Sequence, residues 1–323
     1  MKFFLTIVMN VLLMGIAHSE SFRFIALGDM PYRAVSDESR YINLINAINQ
    51  AKPSFTLFVG DTKSSEAPCS DTSTEKVASF FSRYEAPVIY SVGDNEWTDC
   101  HRSIAGSYDP IERLGKIRKK FFNSSQSLGK TTRTLVRQAD VMSQFSLYVE
   151  NSYWIQDQFI FVSLNIPGSN NDFERNVKAV NEYFKRNKAN LAWIDHTFKV
   201  ATEKKLAGII FAFQADMFTG QIQSDDLANG YRDTVLSLTN HAEKFKKAVL
   251  LIHGDTHRLR IDQPLKTSDK KYVLENVIRV ELMGEDEIQA LEITVNAEQN
   301  SPFSFRPLIV KANSEFSTRS RNK

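Results

Sequence analysis

A surplus of charge of either sign is missing from this sequence. Its 40 Lys and Arg stand against 38 Asp and Glu, a formal net charge of +2. That balance removes the whole-molecule electrostatic case for a nucleic-acid binder, whose domains carry a marked basic excess. Cysteine is scarce as well, with Cys69 and Cys100 the only two. They are too few for a zinc knuckle and too far apart for a Cys-x-x-Cys redox site. After residue 19 no apolar run approaches the ~20 residues that a membrane-spanning helix needs. There is no Gly-x-Ser-x-Gly elbow and no His-Glu-x-x-His helix, so the common serine-hydrolase and zinc-protease signatures are excluded. The segment Leu128 to Thr132 resembles the end of a phosphate-binding P-loop, but position 124 is serine where that motif needs glycine.

What is present is 323 residues, 42% hydrophobic and 24% charged, the composition of a soluble globular protein with one large domain. At the N-terminus, Lys2 precedes an apolar run of 15 residues from Phe3 to Ala17. Ala17 and Ser19 then stand in the minus-3 and minus-1 relation of a signal-peptidase site. The expectation is a cleaved signal peptide over 1–19, a domain over 20–312 and a polar tail over 313–323. The mature chain is expected to be exported, either periplasmic or secreted. In that oxidising setting an even pair of cysteines reads as a disulfide between Cys69 and Cys100. Closing such a loop stabilises by roughly 3–4 kcal/mol in the chain-entropy treatment.

Along the chain, a strand over 22–27 precedes a helical pattern with Ile42, Ile45 and Ile48, and two more short apolar runs begin at Phe55 and Pro87. This strand–helix alternation predicts a largely buried parallel sheet. Between His101 and Ser143 the segment carries nine Lys and Arg against three acids. It reads either as a solvated helical insertion or as a basic wall that draws anionic substrate. Runs from Ser146 to Ile166 read as successive strands. A long polar helix follows, with Val177, Val180, Phe184, Leu191, Trp193, Ile194 and Phe198 as core candidates and His196 as a surface or packing residue. Buried strands begin at Leu206 and Ala248, and the remainder reads as strand pairs closing a second sheet.

Four strand ends finish alike: Gly28-Asp29, Gly60-Asp61, Gly93-Asp94-Asn95-Glu96, and His253-Gly254-Asp255-Thr256-His257. Glycine after a buried strand permits the tight turn that presents the next side chain at the sheet edge. A single Gly-Asp marks any turn, whereas four of them bring carboxylate, amide and imidazole groups to one patch.

Over roughly residues 22–260 these blocks resemble the calcineurin-like metallophosphoesterases. The resemblance implies an α/β fold, a four-layer α/β/β/α sandwich with two mixed sheets. It also implies two divalent metal ions held by Asp29 and Asp61, with Asp61 bridging and His257 as the last ligand. Asp94 or Asn95, according to register, takes the place of the family's Asn ligand. The departures are informative. Met30-Pro31 replaces the family's x-His after the first Asp, no register supplies the catalytic His of the third block, Gln214 stands for a His ligand, and Asp255 stands for another. His253 is the candidate to compensate for Asp255. Exchanging His for Asp or Gln favours harder ions such as Mg, Mn or Ca over Zn, within a field of Mn, Mg, Fe or Zn. Glu96 and His101 are the candidate proton donors to the leaving oxygen. The disulfide would tie together two loops that carry ligands. The expected function is metal-dependent hydrolysis of a small anionic phosphomonoester or phosphodiester, with no nucleic acid required. The alternative is a non-hydrolytic relative that binds an anion or a partner.

Overall fold

The computed structural model describes residues 21–33, 36–218 and 226–314. The expected signal peptide and all but the first two residues of the expected tail lie outside them. Among the described residues twelve strands form two sheets: β1 Phe22–Leu27, β2 Thr56–Phe58, β3 Val88–Tyr90, β4 Val136–Arg137, β5 Ser152–Gln156, β6 Phe159–Ser163, β7 Gly208–Ala212, β8 Ala248–His253, β9 Arg260–Asp262, β10 Val277–Glu281, β11 Ala290–Val295 and β12 Phe303–Leu308. One sheet has the order β12-β11-β1-β2-β3, the other β4-β5-β6-β7-β8-β10-β9. Both are mixed, with β1-β2-β3 parallel beside antiparallel β11 in the first, and β6-β7-β8-β10 parallel in the second.

Alternation along each strand makes the layers. Phe24 and Ala26 of β1 face the second sheet, where they join Phe161, Ile210, Leu250 and Ile252 in the core between the sheets. Ile25 and Leu27 face outward onto Tyr41, Leu44, Ile45 and Ile48 of helix α1, Ser36–Ala51. Helices α2, Asp71–Phe81, and α3, Pro110–Phe121, cover the same face through Val77, Phe80, Leu114 and Ile117. On the far side α4, Val177–Glu203, and α5, Arg232–Phe245, pack Trp193, Ile194, Phe198, Leu238 and Ala242 against the larger sheet. The expected four-layer sandwich is therefore what forms. Sequence sets the helix starts: Ser70 accepts from Ser73 N–H, Asp109 caps α3 with Pro110 at its first position, and Asn176 accepts from Ala179 N–H.

Packing bears on four local readings. Ser146 to Glu150 is not a strand: Tyr148 packs with Phe145, and Glu150 is drawn inside by Arg118. Val177 and Phe184 are 78% and 56% exposed, and the first half of that long helix buries Ala179, Tyr183 and Ala189 instead. His196 lies stacked on Trp193, ring centroids 5.0 Å apart, a packing role. The basic segment is a solvated surface on which most of the charges are paired, with Lys116 and Lys130 still 47% and 54% exposed. Arg113 and Lys116 pair with Asp71, Arg118 with Glu150, Lys120 with Glu75, Lys130 with Glu85, and Arg133 covers the rings of Phe55 and Trp154. Among the described residues no helix is long and apolar enough to cross a membrane.

Candidate active site

The carboxyl ends of β1, β2 and β3 from one sheet meet those of β6, β7 and β8 from the other, and the four strand-end blocks converge there. Asp29 and Asp61 sit in left-handed backbone, φ 55° and 56°, which aspartate tolerates better than most residues. Glycine is required where the backbone passes against these acids: a Cβ at Gly93 would run into Asp61 Oδ1, and one at Gly254 into Asp29 Oδ2.

Asp61 is the hub. Its Oδ1 accepts from Asn95 N–H at 3.1 Å, and its Oδ2 accepts from Tyr32 Oη at 2.9 Å, Asn95 Nδ2 at 2.8 Å and Gln214 Nε2 at 3.3 Å. Asp29 is fully buried; its Oδ1 accepts from Asp255 N–H and lies 3.4 Å from His257 Nε2, while its Oδ2 has no partner. Asp94 Oδ2 and Asp99 Oδ1 both accept at Ser169 Oγ, at 2.7 and 3.0 Å. Asp255 turns back to accept from Asp216 N–H.

Two candidates serve the scaffold. Glu96 differs from the expected proton donor: its oxygens accept from Gly93 N–H, Asp61 N–H, Thr62 N–H and Thr62 Oγ1. Four donors commit this carboxyl to joining the β2 and β3 loops. His101 is exposed, its Nδ1 hydrogen-bonded to Thr98 O at 2.7 Å. His253, the candidate to compensate for Asp255, has its Nε2 without a hydrogen-bond partner. It is fully buried with its ring parallel to Phe213, and burial lowers its pKa to about 4. The disulfide between Cys69 and Cys100 is present. Both sulfurs lie against the Asn95 carbonyl, and Cys100 Sγ lies 3.1 Å from Glu96 O. The bond thus supports the third block from beneath.

Tyr32 is a site residue that motif reading missed. It follows Met30-Pro31, where the resemblance wants a histidine, and its hydroxyl lies between Asp61 and His257, 3.4 Å from the latter's Nε2. Ser169 was hidden too, although the run Gly168-Ser169-Asn170-Asn171-Asp172 is rich in the residue types that accept left-handed backbone.

Burial, then the charges of Asp94, Glu96, Asp29 and Asp255, push the Asp61 carboxyl well above its usual range. Burial raises Asp94 and Asp255 likewise. Burial alone would lower His257, but the hydrogen bond and charge of Asp29 outweigh it and hold the imidazole above its usual value. Burial, Asp61 and Asp29 keep the Tyr32 hydroxyl protonated. Desolvated carboxylates this close repel unless protons or a cation intervene. Among the described residues no three carboxylate, thiol or imidazole groups come together as a metal site; the Tyr32 hydroxyl lies beside Asp61 and His257. Counting that hydroxyl, neighbouring donors of Asp29, Tyr32, Asp61 and His257 are 2.9–3.4 Å apart. Adjacent ligands around a small divalent cation are separated by about 3 Å, given metal–oxygen bonds of about 2.0–2.4 Å. With the orphaned Asp29 oxygen, this oxygen-rich set fits a hard divalent cation.

The fold is that of the calcineurin-like metallophosphoesterases. It is similar to a dimetal phosphatase from zebrafish, Danio rerio, at 11% identity and TM-score 0.53, covering 89% of this chain and 98% of that one. PhoD is similar at 11% identity and TM-score 0.54, over 87% of this chain and 65% of its own length. A purple acid phosphatase from yellow lupin seeds, Lupinus luteus, matches at 12% identity and TM-score 0.50, over 91% of this chain and 55% of its own. No protein-family model and no curated sequence matches the chain.

Proposed function

We propose that the protein is an exported, divalent-cation-dependent phosphoesterase acting on a small anionic phosphomonoester or phosphodiester. Asp29, Asp61 and His257 hold the cation, with Tyr32, Asp94, Asn95 and Asp255 around it. The observation that carries this reading is a set of buried, mutually repelling carboxylates at the strand ends, one oxygen of Asp29 lacking any partner. The solved phosphatases of the same fold support it. A divalent cation supplies charge neutralisation at the phosphate and lowers the pKa of a water.

The chain's own part is positioning. Four donors from three residues hold the Asp61 carboxylate at one angle, and Glu96 locks the two loops that carry Asp61 and Asn95. Tyr32 keeps its proton on Oη and lends it to Asp61 as a hydrogen bond. His257, a quarter exposed, lies at the mouth, where substrate enters. The disulfide supports export, since such bonds persist in oxidising compartments.

The alternative, binding of an anion or partner without hydrolysis, is favoured by one feature. Both oxygens of Glu96 are taken up by donors of the surrounding loops, and Asn95 occupies one register of the family's catalytic histidine. Asp29→Asn separates the two readings, because it preserves the acceptor for Asp255 N–H and changes the unpartnered oxygen. Turnover of p-nitrophenyl phosphate or its bis-ester with Mn²⁺, lost in the variant, supports the enzyme. Calorimetric uptake of Mn²⁺ and phosphate without turnover supports the binder. No uptake of cation overturns both.

A further inference from the structure

Gln214 occupies the place at which the resemblance sets a ligand to a second ion. From the orientation of its amide we infer that it is no ligand: Gln214 presents N–H to the site, and the site takes a single divalent cation. This rests on the cation-dependent reading above.

Gln214 Oε1 accepts from Gly168 N–H at 2.5 Å, and its Nε2 lies 3.3 Å from Asp61 Oδ2. A backbone N–H only donates, so the atom that faces Gly168 must be the amide oxygen. That contact alone sets Nε2 toward Asp61, whichever way the oxygen and nitrogen are assigned. Turning the oxygen toward a cation would leave a buried backbone N–H facing an NH₂ group.

Gly168 cannot follow such a turn. Ser169, Asn170, Asn171 and Asp172 are consecutive left-handed residues, φ 51°, 50°, 59° and 56°. Backbone of that kind persists only where its surroundings over-determine it. Here Arg186, fully buried and 5.2 Å over the Trp97 ring, donates to Asn171 Oδ1, Asn171 O and Asn165 O. Asn170 clasps Ala228 O and Gly230 N–H, and Asn171 N–H donates to the Tyr231 hydroxyl. Asn95 differs, because its amide is oriented by Asp61 and Tyr32, groups that a cation would itself engage. An N–H thus occupies the half of Asp61 that a bridging role would need.

The test counts Mn²⁺ on the chelator-stripped full chain by equilibrium dialysis and paramagnetic resonance. The wild type is expected to bind one ion per chain, with the hyperfine signal of an isolated ion. Gln214→Glu retains an acceptor for Gly168 N–H and replaces the N–H by an oxygen. It is expected to double the count and give the signal of an exchange-coupled pair. Gln214→His, checked for folding by thermal melting, supplies the same doubling by a second route. Two ions on the wild type, or one on both folded variants, overturns the inference and leaves the cation-dependent reading standing. No ion on any form overturns that reading as well.

Discussion

Replacing Arg118 by methionine decides what the basic segment does. Arg118 and Glu150 are 11% and 1% exposed and share two hydrogen bonds, at 2.6 and 2.9 Å. Removing the cation strands Glu150 inside with only Asn165 Nδ2 as a side-chain donor. Breaking a buried pair in this way costs about 3–5 kcal/mol. With a urea slope of about 3 kcal/mol per molar, the unfolding midpoint should fall by roughly 1–2 M. Arg118→Met combined with Glu150→Gln removes the stranded charge and should recover about half of the loss, as in other replaced pairs. Because the pair supports the fold and faces no substrate, KM for an anionic ester at low salt should match the parent in the folded variants. A midpoint unchanged within error, together with a raised KM, would refute the structural role and restore the basic wall.

The remaining expectations concern pH, the disulfide and the left-handed turn. Burial raises Glu150, but the charge and hydrogen bonds of Arg118 outweigh it and hold the carboxyl below its usual range. A depressed folded-state pKa gives stability that is present above the ordinary value of about 4.3 and is lost as pH falls through the folded value. Unfolding between pH 6 and 3 should show that acid loss in the parent, and its persistence in Arg118→Met would contradict the assignment. Cys69→Ala with Cys100→Ala should cost about 3–4 kcal/mol in chemical denaturation and weaken Mn²⁺ binding, since the third block loses its support. A double variant that binds Mn²⁺ as the parent does would disconnect the disulfide from the site. Arg186→Met removes the clamp on the left-handed turn and should lose about 3–5 kcal/mol along with Mn²⁺ affinity. Unaltered affinity in a folded variant would show that the turn holds its shape alone.

Much of the fold could be read because glycine and aspartate punctuate buried strands. Leu27-Gly28-Asp29, Val59-Gly60-Asp61 and Val92-Gly93-Asp94 are local signals, and their convergence follows from parallel strands ending on one side. What escaped depended on partners distant in sequence. Tyr148 and Glu150 alternate like strand residues, yet Arg118, 32 positions before Glu150, draws the carboxylate inward. Counting nine bases between His101 and Ser143 missed that Asp71, Glu75, Glu85 and Glu150, outside that segment, pair with Lys116, Lys120, Lys130 and Arg118. At the site, Asp29, Asp61, Asp94 and Asn95 were legible as types. The orientation of Gln214 was not, because it depends on the N–H of Gly168, 46 positions away. Tyr32 escaped because the family pattern asks for histidine one position earlier.

The central claim is that the buried strand-end carboxylates hold a divalent cation, and anomalous diffraction at the manganese edge from Mn²⁺-soaked crystals tests it most directly. The expected result is a peak bounded by Asp29, Asp61 and His257, absent from crystals of Asp29→Asn. A well-diffracting soaked crystal with no peak at those residues would contradict the claim.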